Sequence, residues 1–128
     1  MKNKIAAVHK FHTAFKLGIK NIPTANIGKD RNLLRFNLMK EENEEYLEAA
    51  QNNDLVEIAD ALGDMLYILC GTIIEHGMQD KIEEVFNEIQ RSNMSKLDKD
   101  GKPIYREDGK VLKGSNYFKP NIKAILNK

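Results

Sequence analysis

The sequence predicts an all-α protein, an antiparallel four-helix bundle followed by a short β-hairpin and tail. Three observations carry this reading. Apolar residues recur at helical spacing through four segments between about residues 3 and 93. Helix-start and helix-stop signals separate those segments. The links inside the helix pairs are short, which favours antiparallel neighbours. The 128 residues are read as a single domain, large enough to bury a modest core.

The first helix, 3–17, presents Ile5, Val8, Phe11 or His12, and Phe15 on one side, with Gly18 as its stop. Pro23, Thr24, Asn26 and Gly28 make 19–30 a loop. Asp30 is expected to cap a second helix, 31–51, with Leu34, Leu38, Tyr46 and Ala49 turned inward. Asn52 and Asn53 break the chain before Asp54-Leu-Val-Glu57, a capping box that opens a third helix. That helix runs to His76, with Gly77 as its C-terminal cap. From Leu55 to Ile74 nearly every residue is apolar or small, so burial on most sides is expected. Asp80-Lys-Ile-Glu83 reads as a second capping box, opening a fourth helix with Ile82, Val85, Phe86 and Ile89 on one face. Asp108-Gly109 between short apolar runs predicts a hairpin over 103–112, and 113–128 reads as a tail.

The net charge of +1 hides a strong pattern. Residues 1–40 hold nine basic and one acidic side chain, and 41–64 hold nine acidic and none basic. Residues 91–128 hold ten basic and four acidic. A solvated acidic face is the ordinary explanation for such a block. The row of the second helix argues otherwise. It continues from Leu34 and Leu38 to Glu42 and Glu45, so two carboxylates stand where the pattern asks for core. On the third helix Glu57, Asp60 and Asp64 follow at i, i+3 and i+7, one stripe on one face. Two like charges about 4 Å apart repel by roughly 4 kcal/mol at an effective dielectric of about 20. No lysine or arginine lies in 41–64 to relieve them. A cation belongs there, and an all-oxygen ligand set suits Mg²⁺, with Mn²⁺ as the alternative. Carboxylate-bound Mg²⁺ commonly binds substrate phosphates as well, which points to a polyphosphate substrate.

Other residues carry plainer readings. His9 and His12 read as ordinary, partly buried histidines, and His76 as a cation favoured in a last helical turn. The lone Cys70 reads as a small buried hydrophobe, and Phe11, Phe15 and Phe86 as core. Glu41, Glu44 and Glu48 lie off the inward row and read as surface, with Glu41 kept open beside Glu42. One cysteine excludes an intrachain disulfide, and no signal peptide or membrane span is read, so the expected location is the cytoplasm.

Leu38-x-x-Glu41-Glu42-x-x-Glu45 followed by Glu57-x-x-Asp60 resembles the paired motif of the MazG-like and phosphoribosyl-ATP pyrophosphohydrolase superfamily of all-helical NTP pyrophosphatases. Phe11-His12-x-Ala14-Phe15, Asp60-Ala-Leu-Gly-Asp64-x-Leu-Tyr67, Ser92-Asn-Met-Ser-Lys-Leu97, Asp108-Gly-Lys-Val-Leu-Lys-Gly114 and Asn116-Tyr117 are similar to a subgroup that includes dUTP pyrophosphatases. The resemblance implies metal ligands at Glu42, Glu45, Glu57 and Asp60, with Glu41 a further ligand or the residue that orients water. It implies hydrolysis of a nucleoside triphosphate to the monophosphate and pyrophosphate, dUTP being a leading substrate. Asn93, Lys96, Lys110, Lys113 and Tyr117 become candidates for contacting the substrate, and Asp64 joins the site with a less defined role. A homodimer or homotetramer is also implied.

Three competitors remain. Phosphoribosyl-ATP is the alternative substrate for the same chemistry. A non-catalytic helical module binding nucleotide or nucleic acid through its basic ends is the second, with nucleic acid the less favoured partner. A di-iron bundle needs Glu-x-x-His on its core helices, and no histidine here has a glutamate three residues before it.

Overall fold

Helices form in all four segments marked by the apolar spacing, and a fifth closes the chain. The structure is a computed structural model describing residues 1–128. It holds α1 (Lys2–Ala14), α2 (Lys29–Gln51), α3 (Leu55–Glu75), α4 (Ile82–Met94) and α5 (Ile122–Leu126). The class is all-α, and four long helices are compatible with a four-helix bundle. The chain divides into two compact units, Met1–Asp80 and Lys81–Lys128. No helix is long and apolar enough to cross a membrane.

In the first unit α3 is the shared neighbour, packing against both α1 and α2. Asp54 caps α3 as expected, its Oδ1 accepting from the Glu57 amide at 3.1 Å. Gly77 (φ +69°) ends it in a Schellman turn, with Gly77 N donating to Ile74 O and Met78 N to Ile73 O. Two other boundaries differ from expectation. Lys16 rather than Gly18 takes the left-handed conformation after α1 (φ +57°). Gly18 is needed for space, since a Cβ there would lie 2.9 Å from Glu75 Oε1. The N-cap of α2 is Gly28, and Asp30 sits in the first turn, where its charge complements the helix dipole.

Ile5, Val8, Ala49, Ala61, Cys70, Ile73 and Ile74 form the apolar core of this unit. Beside it lies a buried polar knot. Glu75, 2% exposed, accepts from Arg31 Nε at 2.9 Å and Nη2 at 2.7 Å. It also pairs with Arg35 Nη1 at 3.0 Å. Arg35 is itself buried and donates to Thr72 Oγ1 (3.0 Å) and Ile68 O (2.8 Å). His12 completes the knot, with Nδ1 2.9 Å from Gly18 O. A carbonyl only accepts, so Nδ1 carries the proton. Gly71 makes room for both groups: a Cβ there would stand 2.6 Å from Arg35 Nη2 and 2.7 Å from His12 Nε2.

Burial of α3 on most sides does not hold within the chain. Leu55 and Val56 are 77% and 76% exposed, and Leu62 and Leu69 are also exposed. The buried residues of α3 gather at its C-terminal end, Cys70, Gly71, Ile73, Ile74 and Glu75, with Ala61 the one exception. Leu34 and Tyr46, expected inward, are exposed too, and so are Phe11, Phe15 and Phe86.

In the second unit α4 packs against α5. The N-cap of α4 is Lys81 with no side-chain capping bond, so Asp80 does not cap it. Asn121 caps α5, accepting from the Ala124 amide at 3.2 Å. The hairpin is reduced to one antiparallel bridge, Tyr105 with Val111, closed by Gly109 at φ +87°. Ser92 Oγ donates to Phe118 O at 2.8 Å, and Arg91 lies 4.3 Å over the Phe118 ring.

Candidate active site

The acidic stripes of α2 and α3 face each other. Glu42 is half-buried on α2, and its Oε2 is shielded from solvent with no hydrogen-bond partner. Its carboxyl is pushed up to about 7, first by burial, then by the neighbouring Glu45, and further by Asp64 and Asp60. Asp64 is raised as well, by burial first and then by Asp60 and Glu45. Glu42, Glu45, Asp60 and Asp64 therefore act on one another across the two helices. Beside them opens a cleft of about 410 Å³ lined by Glu45, Glu48, Ala49, Asn52, Glu57 and Asp60.

No lysine or arginine pairs with Glu42, Glu45, Glu57, Asp60 or Asp64; the only ion pair on this stretch of α2 is the exposed Lys40–Glu44 contact at 3.9 Å. An orphaned carboxylate oxygen among unneutralised carboxylates fits a hard divalent cation in its donor chemistry. No three His, Cys, Asp or Glu side chains are grouped so as to hold a metal ion between them.

Five of the acidic positions singled out from sequence, Glu42, Glu45, Glu57, Asp60 and Asp64, thus belong to one acidic region. Glu41 is exposed and does not line the cleft. Glu48, read as surface, does line it, and Asn52 joins it. Extending the row Glu45, Glu48, Asn52 by helical steps is the signal that finds them. An aromatic group was also missed. Phe11 stacks on Phe15 at 4.4 Å and meets Tyr67 edge-on at 5.6 Å, and all three are exposed. Tyr67 follows Asp60 and Asp64 at i+7 and i+3, on the same side of α3.

The basic candidates lie in the second unit, where backbone contacts gather most of them. Gly114 N donates to Lys96 O at 2.8 Å, Lys96 N to Asn93 O at 3.1 Å, and Tyr117 N to Gly114 O at 3.3 Å. Lys113 Nζ sits 4.8 Å over the Tyr117 ring. Gly114 permits this approach, since a Cβ there would be 2.6 Å from Leu97 O. Lys110 stands apart on the exposed hairpin turn, its amide donating to Asp108 Oδ1 at 3.1 Å.

Comparison with known proteins connects this helical chain and its facing carboxylate stripes to the pyrophosphohydrolases. The family described as phosphoribosyl-ATP pyrophosphohydrolase matches residues 8–93, well over half the chain, so the protein belongs to that family. Its structure is similar to the crystal structure of a "putative NTP pyrophosphohydrolase" from Exiguobacterium sp. 255-15. That likeness has a TM-score of 0.53 at 26% identity and covers 98% of this chain and 94% of the other. No functionally curated protein matches.

Proposed function

We propose that the protein is a Mg²⁺-dependent nucleoside triphosphate pyrophosphohydrolase, converting (d)NTP and water to (d)NMP and pyrophosphate, with dUTP a leading substrate. The observation that carries this reading is the shielded, unpartnered Glu42 Oε2 among carboxylates that no basic residue neutralises. The similarity to the "putative NTP pyrophosphohydrolase" over nearly the full chain supports it.

Glu42, Glu45, Glu57 and Asp60 would hold the ion, Mg²⁺ or in its place Mn²⁺. When bound, the ion supplies Lewis-acid activation of water and neutralises phosphate charge. Glu41, next to Glu42 in the chain though outside the cleft lining, would orient the water that attacks phosphorus as the α–β phosphoanhydride bond breaks and pyrophosphate leaves. Asp64 adds negative charge beside Glu42 and Asp60, which would strengthen the site's attraction for a cation. Asn93, Lys96, Lys110, Lys113 and Tyr117 bind the substrate, the lysines stabilising charge on the leaving pyrophosphate. The exposed rings of Phe11, Phe15 and Tyr67 offer a face on which a base stacks. The uncovered leucines of α3 support a homodimer or homotetramer, and the reaction suits a cytoplasmic nucleotide pool.

Phosphoribosyl-ATP is the second reading, favoured by the family that matches residues 8–93. One assay separates the two. The protein is incubated with NTPs, dNTPs including dUTP, and phosphoribosyl-ATP, in Mg²⁺ and in EDTA, measuring pyrophosphate and orthophosphate separately. Mg²⁺-dependent pyrophosphate release, lost in Glu45→Gln, is the expected result, and the panel ranks the substrates. No release from any of them sinks the enzymatic reading and leaves a binding module.

A further inference from the structure

A second cleft lies in the first unit, away from the carboxylates, and its charge is opposite. It has a volume of about 290 Å³ and its walls include Lys16, Lys20, Arg31 and Glu75, with Ile19 and Ile27 on the apolar side. Arg31 and Glu45 are fourteen residues apart on α2, which places the two clefts about 21 Å apart along that helix.

The local charge is strongly positive. Glu75 is the only acid in the lining, and its single charge is shared by the Arg31 and Arg35 guanidiniums. In the lining three cations, Lys16, Lys20 and Arg31, stand against the one anion and leave +2. Neither lysine ammonium has an acidic partner in the chain. Arg31 is fixed by the bidentate bond from Nε and Nη2 to the buried Glu75, so its Nη1 is pre-oriented without a partner of its own. Gly18 closes the arrangement by seating the 16–20 loop directly on the Glu75 carboxylate. A fixed guanidinium in a cleft that two lysines without acidic partners also line is a phosphate-binding set.

We propose that this cleft is an anion site for a small phosphate-bearing molecule of about the size of pyrophosphate, separate from the acidic cleft. The test uses the full chain in EDTA and low salt, where the acidic cleft repels anions, with inorganic pyrophosphate as the probe in isothermal titration calorimetry. The expected result is one pyrophosphate bound per chain. Lys16→Gln with Lys20→Gln weakens that binding at least tenfold without changing the melting temperature. Lys99→Gln with Lys119→Gln, two exposed lysines that line neither cleft, leaves it unchanged. Absence of binding overturns the proposal. So does binding that survives the Lys16/Lys20 pair of changes, or that falls equally with the Lys99/Lys119 pair. Because metal is excluded throughout, failure here leaves the pyrophosphohydrolase reading standing.

Discussion

Replacing Glu75 by glutamine should destabilise the first unit by about 3 kcal/mol, and the structure says why. Glu75 is 2% exposed and accepts charge-assisted contacts from two arginines at 2.7–3.0 Å. Arg31 is about a third exposed and can turn to water, so its loss is small. Arg35 cannot, with its side chain 8% exposed. Burial pulls its guanidinium below the ordinary value, and attraction to Glu75 is the main force opposing this. Glutamine keeps the shape and some hydrogen bonding but removes the charge. Breaking a buried pair at one end costs about 3–5 kcal/mol, and the retained amide places this case at the lower limit. Urea unfolding of the full chain, followed by far-ultraviolet circular dichroism, measures the change. Arg35→Met combined with Glu75→Leu removes both buried charges and should be more stable than Glu75→Gln alone. A Glu75→Gln variant within about 1 kcal/mol of the parent would show that the knot is not held by charge, and the argument would fail.

The remaining predictions concern the clefts and surfaces. The Glu42 carboxyl titrates near 7 in the fold against an ordinary 4.5, so the metal-free protein loses stability as pH rises from about 4.5 through 7. Melting temperatures in EDTA across that range should show the decline, and Glu42→Gln should flatten it; an unchanged slope refutes the assignment. Lys96→Ala should raise KM or lower kcat for the best substrate, and unchanged steady-state kinetics count against its contact with substrate. Leu62→Glu, on the exposed apolar side of α3, should shift the particle to a smaller mass in light scattering, whereas an unaltered mass removes α3 from the interface.

Much of this was legible in the chain itself because it follows local rules. The apolar period located α1 to α4, Asp54 marked the start of α3, and Gly77 marked its end. The carboxylates at 42, 45, 57, 60 and 64 were legible because helical spacing alone assigns them to two stripes. What local rules do not carry was missed. Glu75 and Arg35 are charged residues in the core, and each is tolerated there only because the other faces it from a different helix. Gly18 and Gly71 look like ordinary helix breakers until the Glu75 carboxylate, Arg35 and His12 are seen in the space beside them. Asp80 has the sequence of a cap, yet the chain enters α4 through Lys81. The five-residue α5 is too short to show a period, and Asn121 was its only signal. Phe15 and the leucines of α3 were expected inside because apolar residues usually are, and the single chain leaves them uncovered.

The notch at Gly71 also sets how substitutions in this protein should combine. Since α3 packs with both α1 and α2, changes confined to α1 and changes confined to α2 should sum nearly independently when they lie far apart. His12 Nε2 and Arg35 Nη2 break that rule, because both press into the space one missing side chain leaves. A smaller residue at either position frees volume for the other and for a methyl group at 71. The cost of Gly71→Ala should therefore depend on what stands at 12 and 35, and variants tested one position at a time would overstate how strictly each of the three is fixed.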